Sequence, residues 1–204
     1  PSYPSYTSVV QTGQAFFVRA NAANASVVFA ENAKTTSTFN VYKVQRNFQR
    51  FRVVLKWYAT TDSIVSMDGV TAVYSKGFSK AVTEEDAGKL SNFTENVAFK
   101  RDSVLLAIEC RPPFGRTDTL FLDIYKMRAG QSYRLDLWPE FTFPDPQGTA
   151  VLEDRFLNTV TPIPLDDTAF VNFDVTSDPE SAGDKRFRVI FKTAGQLVSS
   201  DTEN

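Results

Sequence analysis

Five carboxylates stand close enough together to suggest acid–base work: Glu84, Glu85 and Asp86 in one run, Glu153 and Asp154 in another. The chain has no histidine. That removes the commonest general base, the serine and cysteine triads that need an imidazole, and most zinc sites. A carboxylate pair or a metal-held water is what remains for catalysis. Successive residues of a strand point to opposite faces, so Glu153 and Asp154 do not converge unaided. Asp154 beside Arg155 reads more simply as a solvated or ion-paired corner. We therefore expect no catalytic residue, no cofactor and no resident metal. Calcium is the softer alternative, because acidic loops suit a hard cation. The places for it are Thr61 and Asp62 with Asp68, and Asp178 with Asp184, although no EF-hand spacing accompanies them. Cys110 is the single cysteine and ends the apolar run from Val104, so it reads as a small buried hydrophobe.

Carbohydrate recognition asks for aromatic platforms instead. Trp57 or Tyr58, Trp138, and the loop residues Phe114, Phe141 and Phe143 are the candidates. Trp138 is the strongest as a ligand platform, since Arg134 and Asp136 share its face of an alternating segment.

Strands must position these groups. Arg50-Phe51-Arg52-Val53-Val54-Leu55-Lys56 recurs as Arg186-Phe187-Arg188-Val189-Ile190-Phe191-Lys192. In each copy the alternation sends the aromatic and aliphatic residues inward and Arg and Lys outward. Further strands are expected at Gln14–Ala20 and Ala25–Phe29 as a hairpin, at 39–44, and at Ile64–Met67 turned by Asp68-Gly69 into Val70–Tyr74. Others follow at Ser103–Glu109, Leu120–Lys126, Gln131–Trp138 (Tyr133, Leu135 and Leu137 inward), Ala150–Asp154 and Phe170–Val175. Phe78–Asn96 reads as a loop with one helical turn capped by Thr83. Pro162–Leu165 and Ser177–Asp184 read as loops. About a dozen short strands argue an all-β, antiparallel sandwich, jelly-roll-like. Residues 1–12 read as a linker or fragment start, 13–192 as one β-sandwich domain and 193–204 as a polar tail.

Formal net charge is −2 with both signs dispersed, so no basic face suggests nucleic acid. No apolar run approaches the ~20 residues that span a bilayer.

Several segments, in order, resemble the β-rich region of secreted surface proteins of Bacteroidetes that precedes a type IX secretion sorting domain. They are Gly13–Ala20, Val28–Lys34, Asp68–Tyr74 with Asp86–Leu90, Val151–Phe156, Phe170–Val175 and Lys185–Phe191. The resemblance implies a non-catalytic accessory or adhesive domain of a larger protein, secreted to the cell surface, as in gliding adhesins. It also implies the outer-membrane type IX translocon as a partner during export. Surface glycans are the other expected partner, with a carbohydrate-binding module of a secreted enzyme as the alternative function. Asp62-Ser63-Ile64, Asp102-Ser103-Val104, Asp118-Thr119-Leu120 and Asp167-Thr168-Ala169 resemble the O-glycosylation acceptor of the same bacteria, making Ser63, Ser103, Thr119 and Thr168 candidate sites. The same triplets also suit a strand-opening turn, with Asp bonding local backbone.

Overall fold

A computed structural model describes residues 10, 18, 20, 22–36, 49–113, 117–141 and 148–192. The chain divides into two units, Pro1–Asn47 and Phe48–Asn204. In the first, Asn24 takes a left-handed φ of 61°, the geometry expected of a turn residue. Ala25–Phe29 carries no strand, against expectation, and a 3-10 turn follows at Glu31–Ala33. The candidate strands at 14–17 and 39–44 lie outside the described residues.

The second unit is all-β. Its strands are β1 (Gln49–Thr60), β2 (Ser63–Tyr74), β3 (Ala87–Gly88), β4 (Asn96–Arg101), β5 (Val104–Arg111) and β6 (Thr117–Tyr125). They continue as β7 (Gln131–Glu140), β8 (Thr149–Asp154), β9 (Thr159–Ile163), β10 (Ala169–Val175) and β11 (Phe187–Lys192). All join one sheet in the order β10-β7-β1-β2-β5-β4-β6-β11-β8-β9, with β3 added beside β5. Every described pairing is antiparallel except β2 with β5, which run parallel over Thr71–Tyr74 and Ile108–Arg111. The sheet curls until β9 and β10, the ends of its path, approach each other.

Period-two alternation explains the inside. Phe51, Val53 and Leu55 from β1, Tyr133, Leu135 and Leu137 from β7, and Phe187, Val189 and Phe191 from β11 are all buried in one core. Rings from opposite parts of the sheet meet there: Phe51 lies edge-on to Phe191 at 5.3 Å, and Phe173 to Phe187 at 5.0 Å. Such edge-to-face pairs add to the area they bury.

Four local expectations change. Asp68-Gly69 is no turn but part of β2, at a bulge where Leu55 faces Asp68 and Lys56 faces Ser66. The Asp68 carboxylate accepts from Lys89 Nζ at 2.6 Å, Gly69 N at 2.8 Å and Val97 N at 2.8 Å, so it fastens three segments. Thr83 opens a turn, not a helix: its N–H donates to Asp86 Oδ2 at 2.8 Å. Asn96–Arg101 and Thr159–Ile163 are strands, the latter at the sheet edge where Pro162 is tolerated. Finally, Arg186 does not point outward; it is 2% exposed.

Candidate functional site

Trp138 sits on the outer face of β7, 39% exposed, opposite Arg52 of β1. Arg134 and Asp136 share that face, as expected, and β10 adds Phe170, which pairs in register with Asp136 and is 58% exposed. Phe170 was hidden in the sequence, where a phenylalanine in a strand reads as core. Asp136 is 1% exposed although it points away from the core. It is covered by the groups it binds: Arg134 Nε at 2.6 Å and Nη2 at 3.1 Å, and Lys56 Nζ at 2.8 Å. Held in this way, the Arg134 guanidinium lies over the Phe170 ring, 4.6 Å from its centroid. Beside Trp138, Glu140 is shared by Arg52 at 3.1 Å and Arg50 at 3.5 Å. On the other side Tyr58 donates to Asn172 Oδ1 at 2.8 Å.

The other aromatic candidates do not join this face. Trp57 packs against the core, donates to Gln131 Oε1 at 3.0 Å and carries Arg128 over its ring. Phe141 packs with Phe51, Tyr74 and Phe191, and Phe114 and Phe143 lie outside the described residues.

Buried ionic networks occupy the interior. Asp86 accepts from Arg101 Nη2 at 2.8 Å and from Cys110 N at 2.8 Å. Arg111 joins Glu109 at 2.8 Å and also Asp118. Glu109 is fully buried and its Oε2 has no hydrogen-bond partner. Burial pushes its carboxyl above the ordinary value, against the pull of Arg111 and Arg101. A cavity of 430 Å³ opens between Lys80, Arg101, Arg111, Pro112, Pro113 and Asp118. Two of its cations are already paired, Arg101 with Asp86 and Arg111 with Asp118. Cys110 is 6% exposed, and burial pushes its thiol up to about 11, which suits an inert packing role.

Elsewhere Glu95 binds the Tyr133 hydroxyl at 3.0 Å and Arg128. Burial raises its carboxyl, but bonds from its own backbone, Arg128 and Tyr133 outweigh that and hold it below the ordinary value. Arg186 closes a further network. It bonds Asp154 Oδ2 at 2.9 Å and the Asp174 carbonyl at 2.8 Å, and also reaches the Ser181 carbonyl. The rings of Phe156, Phe173 and Phe187 lie 4.7–5.1 Å from its guanidinium carbon.

The candidate carboxylates stay apart. Glu84 is exposed while Asp86 turns inward; Glu153 pairs with Arg188 and Asp154 with Arg186. Of the calcium candidates, Asp68 is engaged as described, Asp178 caps a 3-10 turn through Glu180 N, Asp184 binds Lys100, and Asp62 is exposed. Among the described residues, no group of three metal-capable side chains converges. Ser63 is exposed at the start of β2 and Ser103 at the β4–β5 turn, whereas Thr119 and Thr168 are half-buried. Asp118 Oδ1 accepts from Thr119 N at 2.9 Å and Asp167 Oδ1 from Thr168 N at 2.7 Å, the strand-opening geometry those triplets allow. No helix among the described residues is long and apolar enough to cross a membrane. Compared with known proteins, the chain matches no family model, no curated protein and no solved structure.

Proposed function

We propose that this chain supplies a non-catalytic accessory or adhesive domain of a larger bacterial protein, secreted through the type IX translocon and held at the cell surface. The ordered resemblance from Gly13 to Phe191 carries this reading. Its segments from Asp68 onward fall on or overlap β2, β3, β8, β10 and β11 of an all-β unit, while Val28–Lys34 lies in the first unit and holds a 3-10 turn; most of the all-β unit's candidate carboxylates are engaged in ion pairs or caps. On this reading the curled sheet is a jelly-roll-like sandwich, and Ser63, Ser103, Thr119 and Thr168 carry O-glycans. Labelling of intact cells tests it. The protein should be accessible from outside, and lost from the surface when the translocon is disabled; a cytosolic pool alone would overturn it. Mass spectrometry that finds those four hydroxyls unmodified would remove the glycan component.

A second reading, a carbohydrate-binding module of a secreted enzyme, is favoured by one observation. Trp138 and Phe170 are exposed on one sheet face, with fixed polar groups around them.

A further inference from the structure

We propose that residues 25–30 of one copy add as a strand to the free edge of β10 in another, so that the chain assembles head to tail. This goes beyond the accessory-domain reading and does not rest on it.

β10 ends the path of the sheet, and among the described residues only β7 pairs with it. In an antiparallel strand the N–H and C=O of one residue point to the same side, and the sides alternate. The Val175 carbonyl accepts from the N–H of Gly130, which precedes β7, whereas the Asp174 carbonyl accepts from Arg186 on the far side. Phe170 and Asn172 are in phase with Asp174, so their backbone groups also turn away from β7. β9, the other end of the path, is guarded by Pro162, which has no N–H. β10 carries neither proline nor lysine, the usual protection of an open edge. Beside it lies a groove of 440 Å³ lined in part by Phe156, Leu157, Asn172, Phe173 and Asp174. Leu157 is 55% exposed in that groove, and Phe170 is 58% exposed on the edge strand itself.

The first unit holds a segment that fits this edge. Ala25-Ser26-Val27-Val28-Phe29-Ala30 has the β-branched and aromatic residues of a strand but carries no strand. Val27, Val28 and Phe29 are 52%, 82% and 76% exposed, an apolar run of the kind that marks an interaction site. Ala30 is already extended, at φ −87° and ψ 148°. The left-handed turn at Asn24 and the 3-10 turn at Glu31–Ala33 bound the segment. Extended, it spans about 20 Å, close to the length of Ala169–Val175.

Strand addition uses both features: main-chain bonds give affinity, and alternate side chains give specificity. Val27 and Phe29 then share one face of the added strand and Val28 takes the other. Apolar side chains thus meet the groove on one side and Phe170 on the other. The segment has no charged residue, so the exposed carboxylates of Asp166, Asp167 and Asp174 do not oppose it. Segment and edge are different surfaces on one chain, so the contact is heterologous and adds copies in series.

Sedimentation of the full chain over a range of concentrations tests this. The parent should form dimers and larger species as concentration rises, with little dependence on salt. Val28→Asp, which spoils the segment, and Asn172→Pro, which removes an outward N–H from the edge, should each abolish association. Unchanged thermal unfolding would show that both variants fold. Mixed together, the two variants should form a 1:1 dimer, because each keeps the surface the other has lost. A peptide of residues 24–31 should bind the Val28→Asp chain and break up the parent's assemblies; this arm stands even if Asn172→Pro does not fold. A parent that stays monomeric at every concentration, association that survives Val28→Asp, a mixture of folded variants that stays monomeric, or a peptide that does not bind would each overturn the proposal.

Discussion

Arg50 and Arg186 each precede a phenylalanine at the head of the same seven-residue pattern, yet one side chain is 30% exposed and the other 1%. Arg50 lies within β1 and obeys its alternation, so it reaches the outer face and shares Glu140 with Arg52. Arg186 sits one residue before β11, in a turn whose N–H reaches the Gly183 carbonyl. Released from the alternation, its side chain passes over three rings to Asp154. A strand pattern governs side-chain direction only where the strand has begun.

The largest expected effect separates the two arginines. Arg186→Met leaves Asp154 buried without its counterion and should cost about 3–5 kcal/mol in urea unfolding. Arg50→Met should cost less than about 1 kcal/mol. Equal losses would break the contrast. The inner faces should behave alike: Val53→Ala and Val189→Ala, both fully buried, should each cost about 2–3 kcal/mol. A large gap between them would mean the two strands differ in more than their arginines.

A subtler distinction concerns pH. The raised carboxyl of Glu109 keeps a proton in the folded chain that the unfolded chain has lost. Its contribution therefore falls as pH rises from the ordinary glutamate value, about 4, toward its raised one. Glu109→Gln should decline less than the parent as pH rises above that ordinary value. Glu95 is held low, so its contribution is present above the ordinary value and fades as pH falls below it; Glu95→Gln should flatten that acid limb. Matching pH profiles for the two variants would refute the assignment. The smallest effect is kinetic: Cys110 should react slowly with maleimide in the folded chain and fully after denaturation, and fast native labelling would show that the Asp86–Arg101 network opens locally.

Much of the interior was legible because β1, β7 and β11 keep strict alternation, and Tyr133, Leu135 and Leu137 point inward as expected. What escaped was polar. β4 begins with a buried Asn96 and ends with a buried Arg101, so its sequence lacks an apolar stripe although both residues face partners inside. Glu109 likewise hides in an apolar run, its neighbours Arg101 and Arg111 brought in by pairing across and along the sheet. Asp68-Gly69 has the residues of a turn, but three donors to one carboxylate keep it extended. At the candidate face, Trp138, Arg134 and Asp136 were legible from one strand. Phe170 and Lys56 were not, because only the β10–β7–β1 register brings them there.

The position of β11 has a consequence for how the chain acquires this shape. It is the last described strand in sequence, yet it lies between β6 and β8. Until it docks, β6 presents an open edge, and the β8–β9 hairpin has no neighbour on its β8 side. An unfinished chain would therefore offer unpaired backbone to other chains. The sheet is completed late and in its middle, and deletion of Phe187–Lys192 should yield an aggregating polypeptide rather than a shorter domain.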